Sequence, residues 1–247
     1  RRMRQALPRV KILNFNPDNP FNTLHFGITN AWIRQSISLY DIYFTWGRFL
    51  LDLLCRAGAK RAEYLPFGYD PLLHRSVEVS EEERVRFGSD VVFVGSWDEE
   101  RERWIAPLLD YSIKIWGTGW ENASEKMQLH WTKEIVIGED FARVCASSKI
   151  VLNFLSKQNG SAHNMRTFEV PACRGFLLST ESEEQQDFFV ADQEMVFFKT
   201  PEELRTKIDY YLLHDSERQH IAEGGFARLR RDSYSYVDRA RHILSLL

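Results

Sequence analysis

Cysteine is scarce in this chain of 247 residues: the three present, Cys55, Cys145 and Cys173, stand far apart, with no Cys-x-x-Cys and no Cys/His cluster. Such spacing excludes a disulfide framework or a zinc site as the organising device, and it fits a cytoplasmic setting. Charge of one sign is also lacking, the formal net charge being -3. No global field therefore draws the chain to nucleic acid or acidic lipid, and any anionic ligand has to be met by local cations. No apolar run approaches the roughly 18 residues of a membrane span. The basic start, RRMRQALP, leads into a short strand-like run instead of the apolar core of a signal peptide. Internal repeats, low-complexity tracts and an Asp-x-Asp pair that would hold a divalent cation are missing as well.

What is present is an ordinary core-forming composition, 44% hydrophobic, enough for one or two globular domains. Short apolar runs recur at residues 10–15, 41–45, 64–65, 91–94, 113–116, 135–137, 150–154, 176–178 and 195–198. Most are too short and too uniformly apolar for half-exposed strands, and they read as strands buried on both faces of a parallel sheet. Helical stretches separate them, among them residues 30–37 and 47–58, the latter ending on Gly58. The tail, residues 201–247, reads as helix broken at Gly224 and Gly225. Alternation of this kind predicts an α/β fold with doubly wound parallel sheets, in which ligands bind beyond the carboxyl ends of the strands. The loop at residues 66–71 marks the expected boundary between a first domain, 1–66, and a second, 67–247.

The chemistry is therefore sought after each strand. Gly95 and Ser96 form a small-residue turn at a helix start, where free backbone N–H groups suit a phosphate or simply an ordinary cap. Arg101 and Arg103 read as solvated helix charges. Gly117 opens a second tight turn, and Ile137 precedes a loop whose backbone suits the edge of a base. The segment at residues 156–169 is longer and more polar, and it delivers Arg166 and Glu169 three residues apart, on one face of a helix. An exposed ion pair of little energetic weight is one reading of that spacing. A guanidinium for a diphosphate beside a carboxylate for two ribose hydroxyls is the other.

These residues also carry a resemblance. NMRTFEVPACRGFLLST at 164–180, YLPFGYDP at 64–71, VVFVGS at 91–96, IWGTGW at 115–120 and YYLLHDSERQHIA at 210–222 resemble, in order and spacing, glycosyltransferases of the two-domain GT-B type (glycosyl transferases group 1), specifically the group similar to the spore maturation protein CgeB. The resemblance implies two facing Rossmann-like domains and a nucleotide-sugar donor held mainly by the second, with no other cofactor. It implies that Glu169 accepts from the ribose hydroxyls and that Arg166 with the Gly95-Ser96 turn neutralises the diphosphate. Asn164, Thr167, Gly117 and Ile137 complete the implied donor set. Two departures stand out: Ser161 occupies the position eight residues before Glu169 where many relatives carry a second acid, and Tyr234-Ser235-Tyr236 replaces a frequent His-Thr-Tyr, with Arg239 following. Complete relatives begin with additional strand-helix units. Residues 1–66 are accordingly expected to be the latter part of an incomplete first domain, whose sheet edges call for the missing segment or a second copy.

The expected reaction is metal-independent transfer of a sugar to an unidentified acceptor, a sugar or a protein. Candidate general bases are Asp18 and His25, with His163 a further one. Turn capping by Asp18 and packing by His25 are the plainer readings. A catalytically silent binding module and an epimerase-type enzyme remain alternatives at this stage, the latter disfavoured by Ser161.

Overall fold

The computed structural model describes residues 5–7, 9–21, 31–156 and 160–247. His25 lies outside the described residues, as do residues 157–159 of the polar segment.

The first unit contains β1 (Leu13–Asn16), α1 (Ala31–Ser36), β2 (Ile42–Thr45), α2 (Leu51–Arg56) and β3 (Ala62–Tyr64). Its strands pair in parallel in the order β1-β2-β3. The second unit runs through α3 (Glu81–Phe87), β4 (Val91–Val94), α4 (Glu99–Ile105), β5 (Ile113–Trp116), α5 (Glu125–Gln128), α6 (Glu139–Ser147), β6 (Ile150–Asn153), α7 (Arg166–Ala172), β7 (Leu177–Thr180), α8 (Glu183–Phe188) and β8 (Val196–Phe198). Three longer helices close the chain: α9 (Pro201–Leu213), α10 (Asp215–Arg231) and α11 (Tyr236–Ser245). All strands of the second sheet are parallel, in the order β5-β4-β6-β7-β8. Strands β2, β4 and β6 are buried at every position, which is why their sequences show no alternation.

The second sheet has the doubly wound order 2-1-3-4-5, and its winding reverses between β4 and β6. At that switch point the two outgoing loops turn to opposite faces and leave a crevice beyond the strand ends. The site is therefore positioned by topology before any side chain is considered.

Several helix starts are set locally. Ser80 and Glu83 form a reciprocal capping box for α3, Thr200 caps α9 with Pro201 in its first turn, and Ser235 with Asp238 repeats the box at α11. The two units share one core, in which Tyr43, Trp46 and Leu50 of the first pack in the same cluster as Val92, Phe168 and Phe188 of the second.

Three expectations need correction. Residues 135–137 form no strand: Ile135 and Ile137 are exposed and only Val136 is buried. The chain instead runs alongside β5 slightly earlier, through Ile115 N–H to His130 O, Thr132 N–H to Ile115 O and Gly117 N–H to Glu134 O, at 2.9, 3.0 and 2.9 Å. Gly224 and Gly225 do not break α10. They let it press on the preceding loop, since a Cβ at either position would stand 2.3 Å from Gln193 O or 2.5 Å from Glu194 O. The last helix, expected within the second unit, crosses back: Ile243 of α11 packs with Ile42, Phe44 and Leu65 of the first sheet. Among the described residues no helix is long and apolar enough to cross a membrane.

Candidate functional site

The carboxyl ends of the two sheets face each other across a cavity of about 450 Å³, within the range of small-molecule sites. Pro17 and Asp18 after β1 and Phe67 after β3 form one wall. Gly95 and Ser96 after β4, Phe154 and Ser156 after β6, and Asn164 and Arg166 at the start of α7 form the other. The β4/β6 switch point is thus the floor of the cavity.

Two guanidiniums charge it. Arg166 donates from Nε to the Val94 carbonyl at 3.3 Å, lies over the Phe141 ring at 4.4 Å, and pairs through Nη1 with Glu169 Oε2. Arg101 folds back from α4 so that Nη1 reaches the Ser96 carbonyl at 2.7 Å and its hydroxyl at 3.2 Å, while Nε stands 3.1 Å from Asp98 Oδ2. Burial pushes Arg101 below the usual guanidinium value, Asp98 opposes this, and the charge of Arg166 adds to it. The two cations disfavour each other in a half-buried place, and an anion between them relieves both. Arg101 is therefore a cavity residue and not a solvated helix charge; its side chain folds back onto Ser96 and Asp98 at the start of its own helix, which helical spacing does not reveal.

Several of the backbone N–H groups expected to meet a phosphate are engaged within the fold. Gly95 N–H donates to Trp116 O at 2.9 Å, its carbonyl accepts from Trp120 Nε1 at 2.9 Å, and the Asp98 carboxylate caps the N–H groups of Glu100 and Arg101. Gly95 and Ser96 still line the cavity, but its positive groups are side chains. Gly117 takes no part in it. At φ +138°, a Cβ there would stand 2.2 Å from Gly95 O, so this glycine lets the turn after β5 close on the turn after β4. Its N–H is bonded to Glu134 O at 2.9 Å and its carbonyl to Trp131 Nε1 at 2.8 Å.

Helix α7 does place Arg166 and Glu169 on one face, and there they bind each other. Glu169 is 6% exposed, so the pair is not a surface one. Its second oxygen, Oε1, stands 3.6 Å from His74 Nε2. The Asp70 N–H donates to His74 Nδ1 at 3.1 Å, which leaves the imidazole proton on Nε2, facing the carboxylate. Burial lowers the His74 pKa, with Glu169 opposing, so the ring is neutral. Sequence reading missed His74, whose only signal is its place after the boundary loop.

Thr167 is corrected outright: it is fully buried, and its hydroxyl donates to Gln185 Oε1 at 2.9 Å. Asn164 lines the cavity. Its amide donates to Asn153 Oδ1 at 2.7 Å, and its own Oδ1 is buried without a partner among the described residues. Ile137 is exposed outside the cavity, just before α6, whose Phe141 touches both Arg166 and His74. His163 is excluded as a base. It is fully buried among Trp46, Phe67, Phe168 and Phe188, accepts from Phe67 N–H at Nε2 (3.1 Å), and meets Glu184 Oε2 through Nδ1 at 3.1 Å. Asp18 does face the cavity. Its turn is held by Asn16 Oδ1, which accepts from Asp18 N–H at 3.0 Å, so the capping residue is Asn16 and not Asp18.

A crevice at a switch point, two facing units and a C-terminal helix returning to the first describe an architecture with known counterparts, and residues 100–245, more than half of the chain, match the family model described as glycosyl transferase-like. The chain belongs to the glycosyl transferase-like family. Among solved structures, this glycosyltransferase is similar to sucrose-phosphate synthase from Thermosynechococcus elongatus (TM-score 0.69, 12% identity, 98% of this chain and 69% of that one). It is similar also to Anabaena HepE, solved with UDP and glucose (TM-score 0.69, 11% identity, 98% and 72%), and to S. aureus TarM, solved with UDP among other ligands (TM-score 0.66, 10% identity, 96% and 50%). At such identities the likeness establishes the fold, which is GT-B. No curated protein sequence matches the chain.

Proposed function

We propose that this glycosyltransferase takes a nucleotide-sugar donor in the cavity between the sheets, and that it is of the CgeB-like group. The observation that carries the reading is the pair of guanidiniums, Arg101 and Arg166, converging on the β4/β6 switch point in a cavity of about 450 Å³. The departing diphosphate of glycosyl transfer develops charge there, and preorganised cations stabilise it without a divalent metal. As Arg166 turns to the diphosphate, the Glu169 oxygen it held becomes the acceptor for ribose hydroxyls. The base of the nucleotide extends out of the cavity toward the start of α6, where Ile137 offers its backbone. Asp18, on the opposite wall, is the general base that takes the proton of the acceptor hydroxyl as it attacks the anomeric carbon.

HepE and TarM, both solved with UDP, support a nucleotide donor by their shared fold. Free thiols at Cys55, Cys145 and Cys173 fit residence in the cytoplasm. The test is calorimetric titration with UDP-, GDP-, ADP- and dTDP-linked sugars, wild type against Glu169→Ala. At least one donor should bind, and the variant should weaken it tenfold or more, about 1.4 kcal/mol. Absence of binding by every donor, or no effect of the substitution, overturns the assignment.

A further inference from the structure

In the donor reading Arg166 turns to the diphosphate while Glu169 stays to receive the ribose. Glu169 Oε2 is bound to Arg166 and its Oε1 stands 3.6 Å from His74 Nε2, beyond hydrogen-bonding distance. If a diphosphate draws Arg166 away, an almost buried carboxylate loses its one ion-pair partner besides that histidine among the described residues. An uncompensated buried charge is strongly disfavoured, so the reading of the donor site requires a second donor within reach.

We propose that His74 is the positioning residue that takes over Glu169 when Arg166 moves to the diphosphate, its Nε2–H closing on Oε1 and fixing the carboxylate for the ribose. The ring is suited to this. Nδ1 accepts the Asp70 N–H at 3.1 Å, Leu72 N–H donates to Asp70 Oδ1 at 2.8 Å, and His74 N–H donates to the Asp70 carbonyl at 2.8 Å, so a compact turn sets both ring position and tautomer. The edge-on contact with Phe141, centroids 5.8 Å apart, fixes the ring plane. That same Phe141 lies beneath Arg166, so the movements of the arginine and the histidine are confined by one side chain. Closing the gap takes a few tenths of an ångström.

This inference rests on the donor reading, and its test separates the two. His74→Gln keeps an N–H donor toward Glu169 but loses the acceptor for Asp70 N–H; His74→Asn keeps that acceptor and loses the donor. With UDP, GDP, ADP and dTDP as probes, the nucleotide that wild type binds should bind His74→Gln within about twofold and His74→Asn about five- to tenfold more weakly. The deficit of His74→Asn should vanish in a Glu169→Gln background. Equal behaviour of the two variants, or a deficit that persists beside Glu169→Gln, overturns the proposal. The second readout needs no ligand: ¹⁵N NMR of the free protein should show His74 with Nδ1 unprotonated and Nε2 protonated, and Glu169→Gln should shift the Nε2 resonance. A proton on Nδ1, or indifference to Glu169→Gln, overturns it even if no nucleotide binds.

Discussion

Replacing Glu184 by leucine removes the carboxylate that ties the two units together. Glu184 is 3% exposed and accepts from the Arg48 N–H at 2.7 Å, the Tyr64 hydroxyl at 2.7 Å and His163 Nδ1 at 3.1 Å. Two of these donors come from the first unit and one from the segment leading into α7. Leucine fills a similar volume and orphans all three. Each buried unpaired donor costs about 1–3 kcal/mol, partly relieved by relaxation, and breaking a buried charged network costs about 3–5 kcal/mol. For a chain of this size that corresponds to a fall in Tm of about 6–20 °C, at about 2–4 °C per kcal/mol. The assay is thermal unfolding followed by circular dichroism, with exposed Glu183→Leu as the control, expected within about 0.5 kcal/mol of wild type. A Glu184→Leu protein that melts with the control refutes the argument that this carboxylate joins the units.

Gly117→Ala should destabilise by about 1–3 kcal/mol, read as a lower urea midpoint, because it combines a positive φ with a Cβ placed 2.2 Å from Gly95 O. Acid should destabilise the chain through its buried histidines. Burial lowers the pKa of His163 and of His74 below the ordinary 6.5, so the unfolded chain binds more protons there; their contribution is complete above pH 6.5 and is lost as pH falls below it. The slope should reach at most about 1.4 kcal/mol per pH unit per histidine, and denaturant melts that coincide at pH 7.5 and 5.5 would contradict it. Donor affinity should be unchanged by EDTA if Arg101 and Arg166 alone meet the diphosphate; a loss restored by magnesium would show that they do not.

Much of the fold was legible because burial on both faces writes itself as short apolar runs. The runs at 91–94 and 113–116 coincide with β4 and β5. The run at 135–137 misled because apolar character alone does not say whether a neighbouring strand is in register, and the hydrogen bonds to β5 end at Glu134. Gly224 and Gly225 misled for the opposite reason: helix propensity disfavours them, and a close approach to Gln193 and Glu194 retains them. In the site, spacing found Arg166 and Glu169 on one face and offered an ion pair between them, without revealing that Glu169 is buried. His74 and Glu184 act through partners distant in sequence, Glu184 reaching Arg48 and Tyr64 of the other unit, and Arg101 matters through the charge of Arg166. No local pattern marks such residues.

In the proposed function the two guanidiniums hold a diphosphate at the β4/β6 switch point. Its most direct test is the affinity difference between each nucleoside diphosphate and its nucleoside, measured by calorimetry on wild type, Arg101→Met and Arg166→Met. Wild type should favour the diphosphate, and each substitution should reduce that preference by roughly tenfold or more, since a hydrogen bond to a charged group contributes about 1.5–3 kcal/mol. A wild-type protein with no preference for the diphosphate, or variants that keep the preference intact, would contradict the account.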